Sequence, residues 1–112
     1  MTQEQVVADD GGPVVVVVEM DPAPGRRADL VEQTRVNSER VINARVGCRS
    51  FTIDDQAPDG PVIVLVRWDS RGALGLHLQG SMAAANLDTY IGLLAAPMVP
   101  RVVPARRVDE TD

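Results

Sequence analysis

Residues Val14–Val18 are five consecutive valines, and that run limits the fold more than any other feature of the chain. β-branched side chains lose rotamer freedom in a helix and pack well on a pleated surface, and five residues are too few for a buried helix. The run therefore reads as a strand covered on both faces. A second apolar run, Pro61 to Trp68, repeats the demand: Val62, Val64, Val66 and Trp68 point one way, Ile63 and Leu65 the other, and only Arg67 marks a solvent side. One layer of helices cannot cover two apolar faces. A monomer would leave a larger apolar patch than soluble chains tolerate, so the sheet is expected to form a homodimer through one face.

Between these strands, Asp21-Pro22-Ala23-Pro24-Gly25 is a turn by composition, and Leu30, Thr34, Asn37 and Val41 then recur at helical spacing from about Arg26 to Arg45. Opposite charges three and four residues apart mark the outer face of this helix. Its inner stripe is interrupted by Thr34, Asn37 and Ser38, whose burial without partners would cost about 1–3 kcal/mol per group. Something polar has to meet them. Cys48 to Asp54 is strand-like in composition, and its loop to Pro61 makes a hairpin. Asp69-Ser70 then signals a helix start, Gly80 interrupts that helix, Met82 to Ala95 resumes it with Leu87, Tyr90, Ile91 and Leu94 inward, and Pro97 stops it. A last strand runs from Met98 to about Val103. The order βαββαβ is that of an α+β, ferredoxin-like unit, with a four-stranded antiparallel sheet and both helices on one face.

At 112 residues there is room for one domain, expected over residues 13–103 between a flexible acidic arm (1–12) and a flexible tail (104–112). The net charge of −5, with 16 acidic residues against 11 arginines and no lysine, weighs against nucleic acid as a partner. The lone Cys48 and the polar N-terminus point to the cytoplasm. No apolar run approaches the roughly 20 residues that span a bilayer, so no membrane segment is expected. There is no glycine-rich phosphate loop, and one His with one Cys cannot supply a metal site, so no cofactor is expected.

Pro24-Gly25 before a long helix, Gly47-Cys48 with Phe51 three residues on, Trp68-Asp69-Ser70 closing a strand, and Ala73-Leu74 followed by His77 together resemble the antibiotic biosynthesis monooxygenase family over residues 13–103. The resemblance implies a dimeric α+β barrel in which each subunit keeps a pocket between its sheet and helices. It further implies oxidation of phenolic, anthrone or quinol substrates, many of them polyketide-derived, by molecular oxygen without a cofactor; other members isomerise, cyclise or only bind. By that resemblance Trp68 and His77 are catalytic candidates. Trp68 either hydrogen-bonds a substrate oxygen or is a core aromatic, and His77 is either a base or a structural link from helix to strand.

Asn37 is a catalytic candidate from its own position in the helix, with Thr34 and Ser38 as substrate contacts; the alternative is hydrogen bonding within the helix. Arg49 alternates in phase with Phe51 and Ile53, which puts it inward as a partner for a developing oxyanion, or else at a strand end on the dimer edge. Phe51, Val64 and Tyr90 complete the expected substrate wall. Anthrone oxygenases of the family carry Asn where Val64 stands, which separates this chain from their mechanism. Haem-degrading relatives need other residues at Glu19, His77 and Leu87, so haem chemistry is not expected.

Overall fold

The computed structural model describes residues 12–105. Its elements are β1 (Val14–Met20), α1 (Arg27–Ala44), β2 (Cys48–Asp54), β3 (Val62–Trp68), α2 (Arg71–Leu78), α3 (Ser81–Asp88) and β4 (Val99–Pro104). The sheet is antiparallel throughout, in the order β2-β3-β1-β4. Among the described residues these four strands and three helices make a ferredoxin-like α+β fold. The proposed arm and tail fall outside the described residues except for Gly12, Pro104 and Ala105; β4 runs on through Pro104, and the Ala105 amide donates to the Pro13 carbonyl.

Register assigns the two apolar faces. Val14 lies opposite Trp68, Val16 opposite Val66, Val18 opposite Val64 and Met20 opposite Val62. These residues cluster with Leu30 and Val41 of α1 and Leu74 of α2 in one core, so this is the face beneath the helices. Val15, Val17, Ile63, Leu65 and Arg67 share the other face. Trp68 therefore lies on the helix side, 3% exposed.

Three local features set the geometry around the start of α2. α1 ends at Arg45 in the left-handed region (φ 55°), and Gly47 follows at φ 103°. A Cβ on Gly47 would stand 2.7 Å from the Ala73 Cβ and 3.9 Å from Trp68, so only glycine fits where α1 turns into β2 against the start of α2. Second, a register shift between Cys48 and Ser50 inserts Arg49 as a bulge. Third, Ser70 caps α2, its hydroxyl accepting from the Ala73 amide at 3.0 Å.

The last helix is shorter than its sequence pattern. α3 stops at Asp88, and Leu87 (56% exposed) and Ile91 (79%) are outside the core. Leu93 and Leu94 pack inward in their place. After Asp88 the chain turns back to bridge the β1–α1 turn, with the Ala23 amide donating to the Leu93 carbonyl at 2.9 Å and the Ala95 amide to the Asp21 carbonyl at 2.8 Å. No helix among the described residues is long and apolar enough to cross a membrane.

Candidate active site

Every helix-facing position of β1, β3 and β4 is apolar, from Val14, Val16, Val18 and Met20 through Val62, Val64, Val66 and Trp68 to Pro100 and Val102. The ends of β1 are sealed, yet Val16 and Val18 at its centre are only half-buried, and neighbouring Pro100 and Val102 on β4 are exposed. The helices thus cover the β1–β4 half of this apolar face less completely than the rest.

Two side chains with polar groups meet on this face where β3 ends, opposite Val14. The Trp68 and His77 rings lie 4.9 Å apart, centroid to centroid, tilted by 36°. Neither ring has a hydrogen-bond partner among the described residues. No buried side-chain nitrogen or oxygen among those residues lacks a partner, so the indole N–H, although its residue is almost wholly buried, keeps an accessible edge. Partial burial lowers the His77 pKa from its ordinary value, because desolvation disfavours imidazolium. Near neutral pH the site therefore offers one N–H donor and one neutral imidazole, which can both accept and give a proton. Phe51 and Val64 share this face, Val64 fully buried and Phe51 half-buried against the core.

The interrupted stripe of α1 meets protein groups. The Asn37 amide donates to the Thr89 Oγ1 at 2.9 Å, and its carbonyl accepts from the Gln33 amide at 3.1 Å. The Tyr90 hydroxyl donates to the Thr34 Oγ1 at 3.1 Å, which itself donates to the Leu30 carbonyl at 2.8 Å. The Thr89 hydroxyl donates to the Asn86 carbonyl, and Arg40 donates to the Asn86 side chain. Together these bonds clamp the segment after α3 onto α1. Ser38 turns away and donates to the Arg35 carbonyl at 2.7 Å. Sequence reasoning missed Thr89 and Gln33; Gln33 had a signal in its helical spacing four residues before Asn37, and Thr89, in a distant segment, had none.

Arg49 does not point inward. The bulge takes it out of phase with Phe51 and Ile53, and it pairs with Asp69 at 2.5 Å, both side chains more than half exposed. It lines an open groove of about 470 Å³ beside the C-terminus of α1, together with Arg45, Gly47, Cys48 and Asp69. Burial raises the Cys48 thiol pKa, which keeps it protonated and unreactive. No group of three His, Cys, Asp or Glu residues among those described is placed to hold a metal ion.

Comparison with known proteins agrees with this architecture. No curated protein sequence matches the chain. Among solved structures, Rv0793 of Mycobacterium tuberculosis is similar at 26% identity and a TM-score of 0.71, over 82% of this chain and 93% of its own. A Caulobacter crescentus protein attributed to the antibiotic biosynthesis monooxygenases has a TM-score of 0.77 at 18% identity, over 90% of this chain and 96% of its own. A hydroxynitrile lyase of Passiflora edulis has a TM-score of 0.67 at 9% identity, covering 84% of this chain and 94% of its own; at such identities the likeness is one of fold. The sequence profile for antibiotic biosynthesis monooxygenases matches residues 13–85. With that match over more than half its length, and with β1, α1, β2, β3, α2 and the Trp68–His77 pair falling inside it, the chain belongs to the antibiotic biosynthesis monooxygenase family.

Proposed function

We propose that the protein is a cofactor-independent monooxygenase, cytoplasmic and acting in secondary metabolism, that oxidises an aromatic, quinol-like or polyketide-derived substrate with molecular oxygen. The observation that carries this reading is the adjacency of the Trp68 N–H and the neutral His77 imidazole, both without hydrogen-bond partners among the described residues, beside an apolar wall. His77 takes a proton from the substrate, and Trp68 donates to the substrate oxygen on which negative charge grows. The resulting enolate passes one electron to oxygen and the radical pair combines to a peroxide. Loss of water then leaves a carbonyl, with one oxygen atom in the product and the other in water. In this reading Phe51 and Val64 are walls of the site, while Asn37, Thr34 and Tyr90 position the segment after α3. An oxygen electrode with a model anthrone or naphthohydroquinone tests it: uptake should depend on His77 and fall in Trp68→Phe, and product formed without oxygen uptake refutes it.

A second reading, proton transfer without oxygen in an isomerase or cyclase, is favoured by one observation. Val64 is buried on the inner face where anthrone oxygenases of the family carry Asn, and the fold also serves a lyase in Passiflora edulis. A third, small-molecule binding without turnover, predicts that His77→Ala alters affinity alone. In all three, two copies join through the outer sheet face. There Val17, Ile63 and Leu65, half-buried in the single chain, form an apolar centre ringed by Glu19, Asp54, Arg67 and Arg101, a layout of apolar core and polar rim. Sedimentation should give a dimer that Leu65→Asp converts to monomer; a wild-type monomer refutes the assembly.

A further inference from the structure

We infer that Ala73 and Gly47 are positioning residues for the pair proposed above: the Ala73 methyl, seated where Gly47 carries no side chain, sets how close α2 lies to the end of β3 and so holds the His77 imidazole against the Trp68 ring. The bearing on turnover rests on that proposal; the positioning does not.

α2 is anchored at its first turn. Leu74 is its one buried residue, while Leu76 and Leu78 in its second half are mostly exposed. The Asp69 amide donates to the Gly47 carbonyl at 2.8 Å, and the Ser70 hydroxyl accepts from the Ala73 amide at 3.0 Å, which ties the turn after α1 to the start of α2. A Cβ on Gly47 would stand 2.7 Å from the Ala73 Cβ, 3.8 Å from an Asp69 carboxylate oxygen and 3.9 Å from Cε3 of Trp68. Ala73 therefore packs on bare backbone, beside the indole, at a spot that any other residue at 47 would fill.

His77 follows Ala73 by four residues, about one helical turn, and lies on the same face of α2. Its ring is 4.9 Å from that of Trp68, centroid to centroid. Both side chains ride on one eight-residue helix, so a displacement of Ala73 from Gly47 carries the imidazole away from the indole. Relieving a Cβ–Cβ approach of 2.7 Å to ordinary carbon contact takes a shift of about 1 Å. Misplacement on that scale costs a proton-transferring group about 10²-fold in rate.

Moving the methyl across the contact tests this. Gly47→Ala creates the clash, and adding Ala73→Gly removes it again; φ 103° at residue 47 strains both variants, so both lose stability but only the first pushes α2 away. The chain holds one Trp and one His, which makes the rise of Trp68 fluorescence on His77 deprotonation a direct report of the ring contact, absent in His77→Gln. The amplitude of that rise should fall by at least about half in Gly47→Ala and return towards wild type in the double variant, a recovery that stability does not share. With naphthohydroquinone and oxygen, kcat should fall at least about tenfold in Gly47→Ala with KM little changed, and recover in the double variant. Ala73→Val adds bulk from the helix side with no change at residue 47, and should shrink the fluorescence step even if Gly47→Ala does not fold. A flat wild-type profile, an undiminished step in folded Gly47→Ala or Ala73→Val, or a double variant that is folded by circular dichroism yet shows no recovery overturns the inference. Wild type that consumes no oxygen refutes the monooxygenase reading alone, because the fluorescence step still decides the positioning.

Discussion

Replacing Asn37 decides whether the broken stripe of α1 belongs to the fold or to the ligand. Asn37 is 2% exposed and makes two side-chain hydrogen bonds, to Gln33 and to Thr89. Each is worth about 1 kcal/mol net, and the void left by Asn37→Ala adds about another 0.5–1 kcal/mol. Thr89 keeps its bond to the Asn86 carbonyl, and half-exposed Gln33 can turn to water, so neither is left stranded. The expected loss is about 2–3 kcal/mol, a fall in Tm on the order of 10 °C for a domain of this size. Thr89→Val removes the acceptor that Asn37 uses. In a double-mutant cycle the two substitutions should therefore couple by about 1 kcal/mol, the second change costing less once the first is made. The assay is urea unfolding at one fixed protein concentration, since dimerisation would make stability depend on concentration, with ligand affinity measured on the same samples. Asn37→Ala that unfolds within about 0.5 kcal/mol of wild type, yet loses ligand affinity at least tenfold, would refute the clamp and return Asn37 to the site.

Three further outcomes rest on the geometry. Imidazolium quenches a stacked indole, so fluorescence of the single Trp68 should rise as pH increases through the His77 titration, with a midpoint below the ordinary imidazole value of 6.5; a flat profile would refute the contact. The folded chain binds the His77 proton less readily than the unfolded one, so this group's contribution to stability is present above that ordinary value and lost as pH falls, and His77→Gln should remove that part of the slope. Gly47→Ala must accept φ 103° and a Cβ 2.7 Å from that of Ala73; it should lose about 2–4 kcal/mol and perturb the near-UV signal of Trp68, and a neutral thermal melt would refute the packing. Arg49→Ala removes a well-exposed ion pair with Asp69 and should shift stability by less than about 0.5 kcal/mol without affecting turnover; lost activity would return Arg49 to the chemistry.

Strand order and helix count were legible in the sequence because Val14–Val18 and Val62–Trp68 admit only a buried sheet and the helical spacing in α1 is regular. Which face the helices would cover was not legible. Both sets of alternate residues in β3 are apolar, and only the landing of Leu30, Val41 and Leu74 on one of them separates the two. The inward alternative for Arg49 fails for a related reason: a one-residue bulge reverses alternation without altering composition.

The two remaining surprises have one cause. Sequence pattern required a polar partner for Thr34 and Asn37, and separately extended the last helix to Ala95. In the fold Thr89 and Tyr90 are those partners, and to reach α1 they leave the helical path at Asp88, with the Thr89 hydroxyl taking up the Asn86 carbonyl. Satisfying two buried polar groups on α1 thus ends α3 early and brings Leu93 and Leu94 into the core in place of Leu87 and Ile91. Local periodicity cannot register such an exchange, because its driving force lies more than fifty residues away. Among the described residues the Trp68 and His77 rings stay without a hydrogen-bond partner, and polar groups that folding leaves in that state beside an apolar surface are the ones available to a ligand.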